Sequence, residues 1–132
     1  MVSVIIACAG SGKRMKAEKN KILLEVNNKT ILQYCCEKFM DCAKVDEIIL
    51  VVARDEVDII KPLVQKIIIN KPYKIVIGGS ERQYSIDNAI KEVDSNSEIV
   101  LIHDGARPLI SINTIDKLIN EVEKNSCAIV GV

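Results

Sequence analysis

Apolar runs of strand length recur along this chain, and each is separated from the next by a stretch with helical spacing. The runs are Val2 to Ala7, Val45 to Ala53, Tyr73 to Ile77, Ile99 to His103 and Cys127 to Val132. Their β-branched content and short length mark strands, and their near-continuous hydrophobicity means that both faces are covered. Strand alternating with helix admits few folds. It implies a Rossmann-like α/β domain, a mostly parallel sheet with helices on both faces. Ligands of such sheets sit outside the carboxyl ends of the strands, near the point where strand order reverses.

The helices carry their own punctuation. Thr30 with Gln33 is a capping box opening a helix to about Ala43, and Ile31, Cys35, Phe39 and Leu32, Cys36, Met40 recur at helical spacing. The stretch from Glu56 to about Ile68 reads as a second helix, with Pro62 inside it expected to kink or divide it. Ser80 with Gln83 predicts a cap for a third helix running to about Val93. A fourth spans about Ile112 to Lys124, with Ser111 or Asn113 as its cap. Between the first loop and first helix, Ile22 to Val26 is a short apolar run, and Asn27-Asn28 marks a turn. No linker, repeat or low-complexity segment interrupts residues 1–132, which read as a single nucleotide-binding domain.

Three polar, glycine-containing segments follow the first, third and fourth strands, at 9–15, 78–85 and 103–108. The parallel topology brings them to one edge. In the first, Gly10 and Gly12 flank Ser11, which lets the backbone turn sharply and offer its amides to an anion. Lys13, Arg14, Lys16, Lys19 and Lys21 crowd this corner against Glu18 alone, although the whole chain has no net charge. A phosphate-rich ligand fits; a plain glycine turn with solvated lysines is the competing reading. Two better-known phosphate loops are excluded. A Walker A loop needs Gly where Ala7 stands and Ser or Thr where Arg14 stands, and a dinucleotide fingerprint needs Gly or Ala in place of Met15.

In the second segment, backbone amides around Gly79 can read a planar base edge and Ser85 can add a hydroxyl, while Ser80 reads first as a helix cap. In the third, Asp104 at a strand end is placed to hold a divalent cation bridging phosphates. His103, the single histidine, reads as a structural residue there, and Arg107 as a partner for a carboxylate or a brace for the loop. Together these parts suggest nucleotidyl transfer, with Lys and Arg stabilising charge at an α-phosphate and a metal assisting pyrophosphate departure.

Other classes fit less well. Aromatic residues make up 3% of the chain and Trp is absent, which leaves no stacking platform for single-stranded nucleic acid. Zero net charge argues against a general DNA binder. No signal sequence opens the chain and no apolar stretch is long enough to span a bilayer, so a cytoplasmic location is expected. Cys8, Cys35, Cys36, Cys42 and Cys127 form no CxxC pair, which disfavours zinc ligation and a disulfide framework. Cys8 has no nearby histidine in sequence to activate it as a nucleophile.

The segments Ala7-Cys8-Ala9-Gly10-Ser11-Gly12-Lys13-Arg14-Met15 with Lys21, Gly78-Gly79-Ser80-Glu81-Arg82-Gln83-Tyr84-Ser85 and His103-Asp104-Gly105-Ala106-Arg107-Pro108 resemble a known set. They are similar to the three nucleotide-site motifs of the 2-C-methyl-D-erythritol 4-phosphate cytidylyltransferases, in order and with compatible spacing. The resemblance implies transfer of CMP from CTP to methylerythritol phosphate, giving CDP-methylerythritol and pyrophosphate in non-mevalonate isoprenoid synthesis. It implies Arg14 and Lys21 as the groups that stabilise the transition state, and Asp104 as the ligand of Mg2+ or another divalent cation. It further implies that Ala7, Cys8, Ala9 and Gly10, with Ser11 and Gly12 beside them, hold ribose, base and phosphates. Gly79, Ser80 and Ser85 match the cytosine-reading segment, and Gly105 or Ala106 the ribose contact near the metal.

Departures from the family pattern are Asn20 in place of Pro, Cys8 in place of Ala and Tyr84 in place of Asp. The family's chains continue past the position of Val132, so a fragment is expected, with a dimerising arm and further acceptor contacts in the missing C-terminal part. Transfer to another polyol phosphate such as ribitol 5-phosphate, and a non-catalytic nucleotide-binding fragment, are the competing functions.

Overall fold

The strand Val2–Ala7 (β1) lies at the centre of the molecule, and all six of its residues are buried. The computed structural model describes residues 1–9, 21–79 and 81–125. Within them β1 is flanked in parallel by Glu47–Val52 (β4) and Ile99–Asp104 (β6), and β4 in turn by Tyr73–Ile77 (β5). The sheet order is β5-β4-β1-β6. The chain therefore steps outward from β1 through β4 to β5, then returns to the opposite side of β1. Strand order reverses between β1 and β6, where Ala7 stands opposite Asp104.

Side chains of adjacent strands alternate between two cores. Val4, Ile6, Ile48, Leu50 and Val52 face a large core with Ile31–Asp41 (α1), Val57–Ile67 (α2) and Ile112–Asn125 (α4), whose contributions include Phe39, Ile60, Val64 and Ile115. Ile5, Ile49 and Val51 face the other way, against Ala89 of the helix Arg82–Glu92 (α3). Helices thus cover both faces of a parallel sheet, as the unbroken apolar strands require. Among the described residues no helix is long and apolar enough to cross a membrane.

Local signals explain the element boundaries. Thr30 Oγ1 accepts the Gln33 amide at 3.1 Å and caps α1, which ends at Asp41, short of the expected Ala43. There Lys71 Nζ donates to the carbonyls of Phe39 and Cys42, tying up acceptors that the last helical turn leaves open. Burial holds the Lys71 amine below its ordinary pKa. Pro62 does not divide α2: the helix is continuous from Val57 to Ile67. The amide that Pro62 lacks would have bonded the carbonyl of Asp58, on an exposed part of the helix where water can replace it. A 3-10 turn, Arg54–Glu56, precedes this helix.

The position before α3 falls on Glu81, not Ser80, and Glu81 makes no side-chain capping bond. The helix thus starts later than the Ser80–Gln83 spacing predicts, and Ser80 itself lies outside the described residues. Ser111, rather than Asn113, caps α4, with its Oγ accepting the Thr114 amide at 3.1 Å. The run Ile22 to Val26 divides into a 3-10 turn, Lys21–Leu23, and the short strand Glu25–Val26 (β2), which pairs antiparallel with Lys29–Thr30 (β3). Asn27 and Asn28, with φ of 53° and 68°, form the tight turn between them. The predicted strand at 127–132 lies outside the described residues.

At the amino end of the sheet a buried carboxylate joins separate segments. Glu47, 3% exposed, accepts from Ser3 Oγ at 2.9 Å and from the Asp94 amide at 3.2 Å, and pairs with Lys74 at 3.4 Å. This end is satisfied internally, and the polar loops with open groups lie at the other.

Candidate active site

Hydrogen bonds continue past the carboxyl ends of the strands and draw three loops together. The amide of Cys8 donates to the Val51 carbonyl, that of Gly105 to Ala7, and that of Gly78 to Val52, at 2.8, 2.9 and 2.8 Å. The loops after β1, β5 and β6 are thereby fixed side by side, next to the reversal in strand order. Closeness demands small residues. A Cβ on Gly105 would stand 3.1 Å from Cys8 Sγ and 3.2 Å from the Ala7 carbonyl, and one on Gly79 would collide with Tyr84.

The β5–α3 turn is gripped by two side chains of α3. Ser85, 5% exposed, accepts the Gly79 amide at 3.1 Å, and Asn88 Nδ2 donates to the Ile77 carbonyl at 3.2 Å. Ala9 lies against this turn as well, since a Cβ on Gly78 would reach it at 2.9 Å. Ser85, read from sequence as a base contact, holds backbone here.

Asp104 closes β6 with a compact turn. Its Oδ1 accepts the Ala106 amide at 3.0 Å and its carbonyl accepts the Arg107 amide at 3.1 Å. Oδ2 has no hydrogen bond among the described residues, and the side chain is half-buried. No group of three or more His, Cys, Asp or Glu side chains is placed to hold a metal among the described residues. One open carboxylate oxygen suits magnesium, a hard cation that takes one or two carboxylates and completes its shell with phosphates and water.

Cys8 is not built as a nucleophile. Burial, reinforced by Cys36, Cys35 and the Asp104 charge, pushes its thiol well above the ordinary range. Its Sγ points back to the Ile6 carbonyl at 3.7 Å. Burial likewise pushes Cys35 up to about 12. These thiols pack as small apolar groups.

Lys21 opens the 3-10 turn after the first loop. Its side chain is exposed, while Ile22 beside it is sunk into the main core at 2% exposure. Gly10, Ser11, Gly12, Arg14 and Ser80, all expected in the site, lie outside the described residues. The structure thus brings Ala7, Cys8, Ala9, Gly79, Ser85, Asp104, Gly105 and Ala106 to one edge.

A family model for IspD, 2-C-methyl-D-erythritol 4-phosphate cytidylyltransferase, matches residues 2–132. The chain belongs to the 2-C-methyl-D-erythritol 4-phosphate cytidylyltransferase family. The family member from Clostridium botulinum strain 657 is 43% identical over 130 residues, which cover 98% of this chain and 57% of the relative. This chain therefore spans little more than half the length of the curated relatives it matches. The crystal structure of 4-diphosphocytidyl-2C-methyl-D-erythritol synthase from Anaerococcus prevotii is similar with a TM-score of 0.80 at 36% identity, over 94% of this chain and 51% of that one. The bifunctional IspDF from Campylobacter jejuni gives 0.74 at 26% identity, over 93% and 31%.

The third motif contains two of the groups that brace its loop, His103 and Arg107, but not the partner on α1. His103 packs its ring edgewise on Phe39 of α1, with centroids 5.2 Å apart, and its Nε2 lies 2.8 Å from the Arg107 carbonyl. Asn88 is the brace on the other loop. No motif flags Phe39 or Asn88. Their helical spacing from Cys35 and Ser85 was the only available signal, and it marks a face without naming the partner. Arg107 was expected to brace the loop; its backbone does so, through both its amide and its carbonyl.

Proposed function

We propose that the protein transfers CMP from CTP to 2-C-methyl-D-erythritol 4-phosphate, releasing pyrophosphate. The observation that carries this reading is the open Oδ2 of Asp104, in a chain of the cytidylyltransferase family. In the step proposed, an oxygen of the acceptor phosphate forms a bond to the α-phosphorus of CTP. The bond from that phosphorus to the β-phosphate bridging oxygen breaks, and pyrophosphate leaves with the electron pair.

Asp104 would hold magnesium, which supplies charge neutralisation on the phosphate oxygens when bound. The peptide groups at Ala7, Cys8 and Ala9 would line ribose and base, and the turn at Gly79 would read the cytosine edge. Lys21, with Arg14, would meet the α-phosphate, where negative charge spreads over the equatorial oxygens in the transition state. Gly105 and Ala106 would approach the ribose. The same reading has the protein act in the cytoplasm, with neither membrane nor nucleic acid as partner.

The test is magnesium-dependent pyrophosphate release from CTP, measured with methylerythritol phosphate, with ribitol 5-phosphate and without acceptor. Release with methylerythritol phosphate in clear excess over the other two supports the proposal. Faster release with ribitol 5-phosphate would reassign the acceptor. CTP binding with no release under any condition would make this chain a nucleotide-binding portion of the enzyme.

A further inference from the structure

We propose that His103 is a positioning residue for the Asp104 carboxylate, holding the 104–107 turn in the shape that presents Oδ2 to a divalent cation. The inference deepens the nucleotide-site reading above and rests on it. A carbonyl oxygen only accepts hydrogen bonds, so the 2.8 Å contact to Arg107 requires the proton on His103 Nε2. That ring nitrogen is then committed and cannot ligate a cation.

The strand geometry separates the two side chains. His103 and Asp104 are successive residues of β6, so their side chains leave on opposite faces of the sheet. His103 faces the large core, where Phe39, 1% exposed, fixes the orientation of its ring. Its influence on Asp104 must pass through the turn.

The turn supplies that path. At its entry, Gly105 is tied to Ala7 at 2.9 Å, and within it Asp104 receives the amides of Ala106 and Arg107. The exit is the Arg107 carbonyl, followed by Pro108, which has no amide proton to give. The His103 bond anchors this exit to α1 through Phe39. Without it the turn can open, the Ala106 amide can leave Oδ1, and the carboxylate can rotate.

Two substitutions separate the bond from the packing. His103→Phe keeps an aromatic ring against Phe39 and removes the donor, while His103→Gln restores a donor at similar reach. The magnesium concentration that half-saturates CTP binding should rise about tenfold in His103→Phe, the lower end of the effect of partners that orient metal ligands. It should return to within about threefold of the unsubstituted value in His103→Gln. In the same Phe variant without metal or nucleotide, amide exchange at Ala106 should accelerate while that at Ile5 and Ile49 stays unchanged. In the unsubstituted chain, imidazole nitrogen shifts should place the proton on Nε2, a measurement that needs no variant to fold.

A proton on Nδ1 alone would overturn the proposal. So would Ala106 exchange and magnesium dependence that do not change in His103→Phe, or a Gln variant no better than Phe. If the unsubstituted chain binds no CTP with magnesium, the nucleotide-site reading falls. The tautomer and the Ala106 exchange then decide by themselves whether His103 holds the turn.

Discussion

The amide of Gly79 donates to the Ser85 hydroxyl at 3.1 Å, which binds the end of β5 to the first turn of α3. Ser85 is nearly inaccessible, and Gly79 beside it is exposed. The serine would therefore act on the proposed ligand through the backbone it holds. Ser85→Ala should release the turn at the cost of one net hydrogen bond, about 1 kcal/mol, and so lower CTP affinity roughly fivefold. The loss should be larger for CTP than for UTP, because the base edge is what the turn is proposed to read. Calorimetric titration of both nucleotides checks this; an equal loss for the two would remove the turn from base selection.

Asp104 braces the turn through Oδ1 and is proposed to hold magnesium through Oδ2, and Asp104→Asn separates the two roles. The amide side chain can still accept the Ala106 amide through Oδ1, so the turn should persist. The charge is gone, and magnesium should no longer strengthen CTP binding. Thermal unfolding should shift by less than about 1 kcal/mol, since the bond within the turn is retained. A variant with full magnesium dependence would leave Asp104 a structural role only.

How far the sequence carried this picture depended on the range of the signal. Val2–Ala7 and Glu47–Val52 were legible because a strand covered on both faces leaves an unbroken apolar run. Thr30 and Ser111 were legible because a cap is a bond between near neighbours. Pro62 left open whether the helix would divide, because the cost of a missing amide depends on whether water reaches the freed carbonyl, which only the fold decides. The Ser80–Gln83 spacing placed the start of α3 one residue early, before Glu81. The loops of the site were legible as glycine-rich strand ends. His103 was legible as a structural residue, but its partner Phe39 was not, since that contact joins residues distant in the chain.

The buried thiols make stability depend on alkaline pH. Burial raises Cys35 to about 12 and Cys8 upward as well, while an unfolded cysteine titrates near its ordinary value. Above roughly pH 8.5 the unfolded chain loses thiol protons that the folded chain keeps, so the unfolded state is favoured. The stabilisation is fully present below that pH and lost as pH rises towards the folded values. Each such thiol should contribute a slope of about −1.4 kcal/mol per pH unit in this window. Denaturant unfolding at pH 8 and pH 10 measures it, and Cys35→Ala should reduce the slope by one group.

Lys21 is exposed and follows the first loop directly, beside the buried Ile22. If it serves the transition state, Lys21→Ala should lower kcat about 10²–10³-fold with a smaller change in the KM for CTP. Pyrophosphate release under saturating acceptor gives both constants. A raised KM at unchanged kcat would make Lys21 a ground-state binder and contradict the role assigned to it.

The loops after β1, β5 and β6 are proposed to form one site for CTP and a divalent cation. Isothermal titration of the chain with CTP, UTP, ATP and GTP, each with magnesium and with a chelator, tests it most directly. One site per chain is expected, tightest for CTP, with affinity that falls when magnesium is removed. Equal affinity for the four nucleotides, or CTP binding indifferent to magnesium, would contradict it.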